Sequence, residues 1–235
     1  MTVADPEPAA APLRGPSGPV VIAHRGASAD GIPVLFHDDT LERTTDGTGR
    51  LRSSTAEQLS RVDAGGWFPG RAFAGTPVPT LAETLAAGGA LAVPPDGPRL
   101  LLEIKGEHSA DELRTVLSVL AAAAAERWVF LQSFEIPVLE LLRDSAPGRP
   151  LGLLVESLDD DPVARCRELG ATTYNPEHVL LRDRPELVAE LQAADLGVVG
   201  WTADDPADWA FLTGLGVDGI ITNRPAALTA WLAAG

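Results

Sequence analysis

Two of the four histidines in this chain close short apolar runs: His24 follows Val20-Val21-Ile22-Ala23, and His37 follows Val34-Leu35-Phe36. An imidazole gives and takes protons near neutral pH, so two of them flanking one site form a general acid and a general base. Each has a charged neighbour suited to the same work. Arg25, beside His24, carries a planar guanidinium that can hold two phosphate oxygens at once. Asp38, beside His37, is a carboxylate placed to orient the ring. Further along, Glu103 and Lys105 flank Ile104 at the end of Leu100-Leu101-Leu102, a spacing of two that sends both side chains to one side of a strand. Burying such a pair is costly unless its members hold each other or a metal ion.

The elements that must position these groups alternate along the chain. Strands are predicted at Val20 to Ala23, Val34 to Phe36, Leu100 to Ile104, Val129 to Leu131, Leu151 to Val155, Thr172 to Tyr174, Gly197 to Trp201 and Gly219 to Thr222. Helical stretches fall between them, the order expected of a mostly parallel sheet with helical crossovers. Thr80 to Glu83 and Ser109 to Glu112 have the S/T-x-x-E form of a helix start, and Leu113, Val116, Leu117 and Leu120 share one helix face. Pro206 and Pro225 stand where a first helical turn tolerates proline. Between Asp38 and Val78 runs a long connection with one short helix predicted from Thr55 to Arg61. Its Gly65-Gly66-Trp67-Phe68 segment fits the wall of a pocket.

Composition narrows the function classes. Hydrophobic residues make up 45% of the 235 residues and charged residues 22%, the balance of a folded globular protein. The most apolar run, Leu120 to Ala125, is far shorter than the roughly 20 residues of a spanning helix. With 33 acidic and 18 basic residues the net charge is −15, which repels nucleic acid and anionic lipid. Any anionic substrate therefore needs local cations, whether a metal ion, Arg25 or Lys105. One cysteine excludes an internal disulfide and fits a reducing cytoplasm. Residues 1–18 read as a flexible leader, and 19–235 as one domain with 38–79 inserted over its mouth. His108 and His178 read as surface turn residues without a role.

Several blocks together resemble the glycerophosphodiester phosphodiesterase family: His24-Arg25-Gly26-Ala27-Ser28, the run from Asp30-Gly31 through His37-Asp38 to Gly47-Thr48-Gly49, Pro79-Thr80-Leu81 and Leu102-Glu103-Ile104-Lys105. Gln132-Ser133-Phe134, Gly200-Trp201-Thr202 and Gly219 to Pro225 continue the match. The resemblance implies a TIM-type (β/α) barrel and metal-dependent hydrolysis of a small phosphodiester to glycerol 3-phosphate and an alcohol. It also implies His24 and His37 as the proton pair, Arg25 and Lys105 on the phosphate, and Glu103 as ligand to Mg²⁺ or Ca²⁺. Trp201 either lines the pocket near the glycerol or packs between strands.

One part of the family pattern has no counterpart. In that family a helix and a strand carrying a Glu-x-Asp pair of metal ligands separate the first histidine block from the Asp-Gly turn. Such a crossover takes about 30 residues, and none fits between Gly26 and Gly31. The expected fold is thus a barrel with one βα unit shortened or missing, and two of three expected metal ligands are absent. Asp30, Asp38 and Asp39 are the carboxylates available to replace them. Two other readings follow: an impaired or inactive relative that at most binds phosphate, and a related headgroup-specific phospholipase.

Overall fold

The computed structural model describes residues 21–86, 100–126 and 128–234, with side chains described from Gly26 onward. The predicted leader lies outside the described residues. The chain forms two units, Val20–Leu131 and Gln132–Gly235.

The first unit is built on three adjacent strands. β1 (Val21–Ala27) lies between β2 (Pro33–Leu35), which runs antiparallel to it, and β3 (Leu100–Ile104), which runs parallel. β1 is longer than its apolar run predicts. It continues through His24-Arg25-Gly26 because both of its edges are paired: Arg25 stands opposite Leu35 on one side and Ile104 on the other. His24 and Arg25 therefore lie within the strand, and not in a turn after it. The direction of β2 follows from chain length, because residues 28–32 are too few for a crossover and only a hairpin can join the strands. Gly31 adopts φ +74° in that turn. The Ser28 hydroxyl donates to Asp30 at 2.6 Å and accepts the Ile32 amide at 3.0 Å.

Among the described residues α1 (Ala56–Leu59) and α2 (Leu81–Leu85) come before β3, and α3 (Ala110–Ala122) after it. Thr55, Thr80 and Ser109 each cap a helix reciprocally with Gln58, Glu83 and Glu112, which satisfies amides that have no partner inside the helix. The insertion has its own core: Leu41, Leu51, Leu59 and Val78 pack with Val34 and Phe36 from the β2 segment. Gly26 sits under this core so closely that a Cβ there would lie 2.3 Å from Leu51 Cδ2.

β4 (Val129–Ser133) contains the passage from the first unit to the second. The second unit then alternates helix and strand: α4 (Ile136–Ser145), β5 (Leu151–Val155), α5 (Pro162–Leu169), β6 (Thr173–Pro176), α6 (Leu180–Asp183) and α7 (Leu187–Ala193). It closes with β7 (Gly197–Gly200), α8 (Pro206–Leu215), β8 (Gly219–Ile220) and α9 (Pro225–Ala234). β5 to β8 are parallel neighbours in sequence order. Their side chains are largely buried, and the apolar runs Leu151 to Val155 and Gly197 to Gly200 suit that environment. Cys166 is buried on α5, and burial pushes its thiol up to about 12. The Thr222-Asn223-Arg224 segment is a turn held by Asp204, which accepts from Thr222 Oγ1 at 2.9 Å and from the Asn223 amide at 2.7 Å. Among the described residues no helix is long and apolar enough to cross a membrane.

Gly26→Ala should destabilise the first unit by about 1–3 kcal/mol through overpacking against Leu51. Combining it with Leu51→Ala should cost less than the sum of the two single changes, because shortening Leu51 opens the space that the added methyl group needs. Urea denaturation of the three variants measures that coupling.

Candidate active site

The pairing of β1 with β2 and β3 brings three distant segments to one place. A cavity of about 430 Å³ opens there, lined by Gly26, by the residues that follow β2 from Phe36 to Asp39, and by those that follow β3 from Lys105 to Glu107. The insertion supplies the remaining wall through Arg50, Leu51, Arg52 and Ser53.

His37 is half exposed at this cavity, and its Nδ1 lies 2.6 Å from Asp38 Oδ1. Arg43 grips the same carboxylate with two nitrogens, Nε to Oδ2 at 2.5 Å and Nη2 to Oδ1 at 2.8 Å. The Arg43 hydrogen bond, with a smaller contribution from His37, holds the Asp38 carboxyl at about 2 despite partial burial. Asp38 is thus charged at any ordinary pH and accepts a hydrogen bond from a protonated Nδ1, which fixes the tautomer and orientation of the ring.

Cations line the facing segments. Arg52 donates to Glu112 Oε1 at 2.9 Å and to the Glu107 carbonyl, which straps the insertion to the start of α3. Arg50 is exposed and Lys105 half-buried, and neither forms an ion pair among the described residues. Arg43 lies in the family-like run but is assigned no role by it, and Arg50 and Arg52 carry no sequence signal of their own. Arg43 meets Asp38 only through the fold of the loop between them, and Arg50 and Arg52 reach the cavity because buried Leu51 anchors the turn that carries them.

The predicted site residues divide as follows. His37 and Lys105 reach the cavity. His24 and Arg25 stand in β1 next to Gly26, opposite Glu103 and Ile104, while their side chains lie outside the described residues. Glu103 is 5% exposed on β3 and is not among the cavity's lining residues. Trp201 belongs to the second unit, where its indole donates to the Asn175 carbonyl at 2.7 Å and its ring meets Phe134 edge to face at 5.3 Å.

Other expectations are corrected. The Gly65 to Phe68 segment does not line this cavity; Trp67, Phe68 and Phe73 contact one another edge to face and remain exposed. His108 and His178 are not surface residues. Each turns Nδ1 toward a backbone carbonyl, that of Gly106 at 3.0 Å and of Trp201 at 3.2 Å, and His178 Nε2 also lies 3.4 Å from Asp208.

Asp38 is engaged by Arg43 and His37, and Asp30 by Ser28 and the Ala56 amide, which leaves Asp39 exposed on the cavity wall. Among the described residues no three His, Cys, Asp or Glu side chains converge as metal ligands.

Residues 26–227 match the glycerophosphoryl diester phosphodiesterase family. The chain belongs to this family. It is 31% identical over 203 residues to a glycerophosphodiester phosphodiesterase of Caldanaerobacter subterraneus, covering 85% of this chain and 79% of the relative. The probable glycerophosphodiester phosphodiesterase 1 of Mycobacterium tuberculosis is 28% identical over 256 residues, covering 92% of this chain and 93% of its own length. Among solved structures, an Oleispira antarctica phosphodiesterase in complex with the product sn-glycerol-3-phosphate superposes with a TM-score of 0.80 at 25% identity, over 91% of this chain and 84% of that one. The chain has the TIM-like α/β fold of these phosphodiesterases.

Because the folded state holds the Asp38 carboxyl below its ordinary value, the clamp stabilises the protein above pH 4 and its contribution is lost as pH falls toward 2. Solvent access limits it to about 1 kcal/mol. In Asp38→Asn the loss of stability between pH 4 and pH 2 should be smaller by that amount, measured by urea denaturation at stepped pH.

Proposed function

We propose that this protein is a phosphoric diester hydrolase that cleaves glycerophosphodiesters to glycerol 3-phosphate and an alcohol. The observation that carries this reading is the Arg43–Asp38–His37 chain of hydrogen bonds opening on a cavity that Lys105 also lines. With Nδ1 committed to Asp38, the other ring nitrogen of His37 exchanges protons with the reacting oxygens. His24 is the second member of the proton pair and Arg25 a phosphate grip; their strand runs directly into Gly26 at the cavity. Lys105 neutralises charge that grows on the phosphoryl oxygens. Trp201 is assigned to the glycerol side of the substrate on the family resemblance alone.

The chain also lacks, in this reading, the helix and strand that bear the Glu-x-Asp ligands, with Glu103 the retained member of the set. Two observations support this. β1 turns through residues 28–32 straight into β2. The alignment with the Mycobacterium protein runs over 256 positions but takes up 92% of 235 residues, about 216, so about 40 positions are filled by the relative alone. Turnover slower than that of family members with the complete unit follows, since part of the transition-state charge compensation is gone.

The test is release of glycerol 3-phosphate from a panel of deacylated phosphodiesters. His37→Ala should lower kcat by about 10²-fold or more while the far-ultraviolet circular dichroism is unchanged. Asp38→Asn should lower kcat by about 10-fold or more with little change in KM, because it misorients the ring without touching substrate. No release from any member of the panel overturns the reading, and turnover of intact phospholipids alone selects the headgroup-specific phospholipase instead.

A further inference from the structure

We propose that Arg50 and Lys105 form a phosphate-binding pair that takes a phosphate group without a divalent cation. This rests on the reading of the cavity as a phosphoester site and names residues that do at this site what a metal ion would otherwise do.

Three of the cavity's ionisable side chains are already engaged. Asp38 is held by Arg43 and His37, and Arg52 by Glu112 and the Glu107 carbonyl. Arg50 and Lys105 are the two lining cations without an ion pair among the described residues. On a chain of net charge −15, an anionic ligand is repelled at long range and bound only where cations are concentrated. Three cations and three carboxylates line the cavity with His37, but Asp38 is already compensated by Arg43, and Arg50 and Lys105 have no carboxylate partner among the described residues.

Arg50 is mounted for the task. Its backbone bridges Thr40 in antiparallel register, and the next residue, Leu51, is buried with its amide donating to the Asp39 carbonyl at 2.9 Å. The guanidinium thus extends from a fixed backbone, which lowers the entropy lost on binding. Its planar fork matches two phosphate oxygens, while Lys105 supplies a point charge from the end of β3. Asp39 and Glu107, both exposed on the wall, are the opposing charges and limit the affinity.

Titration calorimetry in chelator-treated buffer, with inorganic phosphate and sn-glycerol 3-phosphate as separate probes, tests the proposal on the full chain. One-to-one binding is expected for both, tighter for glycerol 3-phosphate if the glycerol is also held. Arg50→Ala and Lys105→Met should each weaken binding about 10-fold or more, and Asp39→Asn should tighten it. The rise in melting temperature with added phosphate should shrink in the first two variants and so separates lost binding from lost fold. Binding that appears only with added Mg²⁺ or Ca²⁺, no binding in either condition, or unchanged affinity in Arg50→Ala overturns it. The two readings fail separately: binding in chelator without hydrolysis removes the hydrolase and keeps the pair, whereas hydrolysis that stops in chelator together with binding keeps the hydrolase and removes the pair.

Discussion

The hydrogen bonding of β1 on both edges is the constraint on which the cavity depends. Unpaired, the segment from His24 to Ala27 would be a polar loop after a short apolar run. Paired with β2 and β3 it becomes the middle of a sheet, and residues that follow both neighbours line one cavity beside Gly26. His37 and Lys105 line one cavity, and the strands that precede them, ending at Leu35 and Ile104, both stand opposite Arg25. The glycine that follows is required by the same closeness, since the insertion's core lies directly on it.

The insertion is then a structural partner of the strands and not a flap laid across them. Its apolar residues share one core with Val34 and Phe36, and its polar ones are tied down by the Arg52 strap and by the Asp30 carboxylate, which accepts the Ala56 amide at 3.0 Å. Charge placement follows from these ties. Asp38 and Arg43 neutralise each other beside His37, so the ring is oriented by a carboxylate whose charge is already compensated.

Much of this was legible in the sequence, and the exceptions have physical causes. Leu100 to Ile104 and Leu151 to Val155 are strands as predicted, because uninterrupted apolar runs of that length suit a sheet buried on both faces. The capping boxes at Thr80 and Ser109 formed because their hydrogen bonds are local. β1 outran its prediction because strand ends are decided by partners distant in sequence, and the roles of Arg43, Arg50 and Arg52 were hidden for the same reason. An arginine in a Gly- and Thr-rich connection reads as solvated until the fold of that connection is known. The direction of β2 was legible in principle, since a hairpin is the only join that residues 28–32 allow.

The lone cysteine gives the second unit a covalent clock. Buried on α5 and with its thiol pushed up to about 12, Cys166 offers almost no thiolate to an alkylating reagent while the unit is closed. Modification therefore records openings of Gln132–Gly235 and is silent to events confined to the cavity, which lies wholly in Val20–Leu131. Labelling rates with and without a phosphate ligand would then show whether ligand bound in one unit is felt as rigidity in the other.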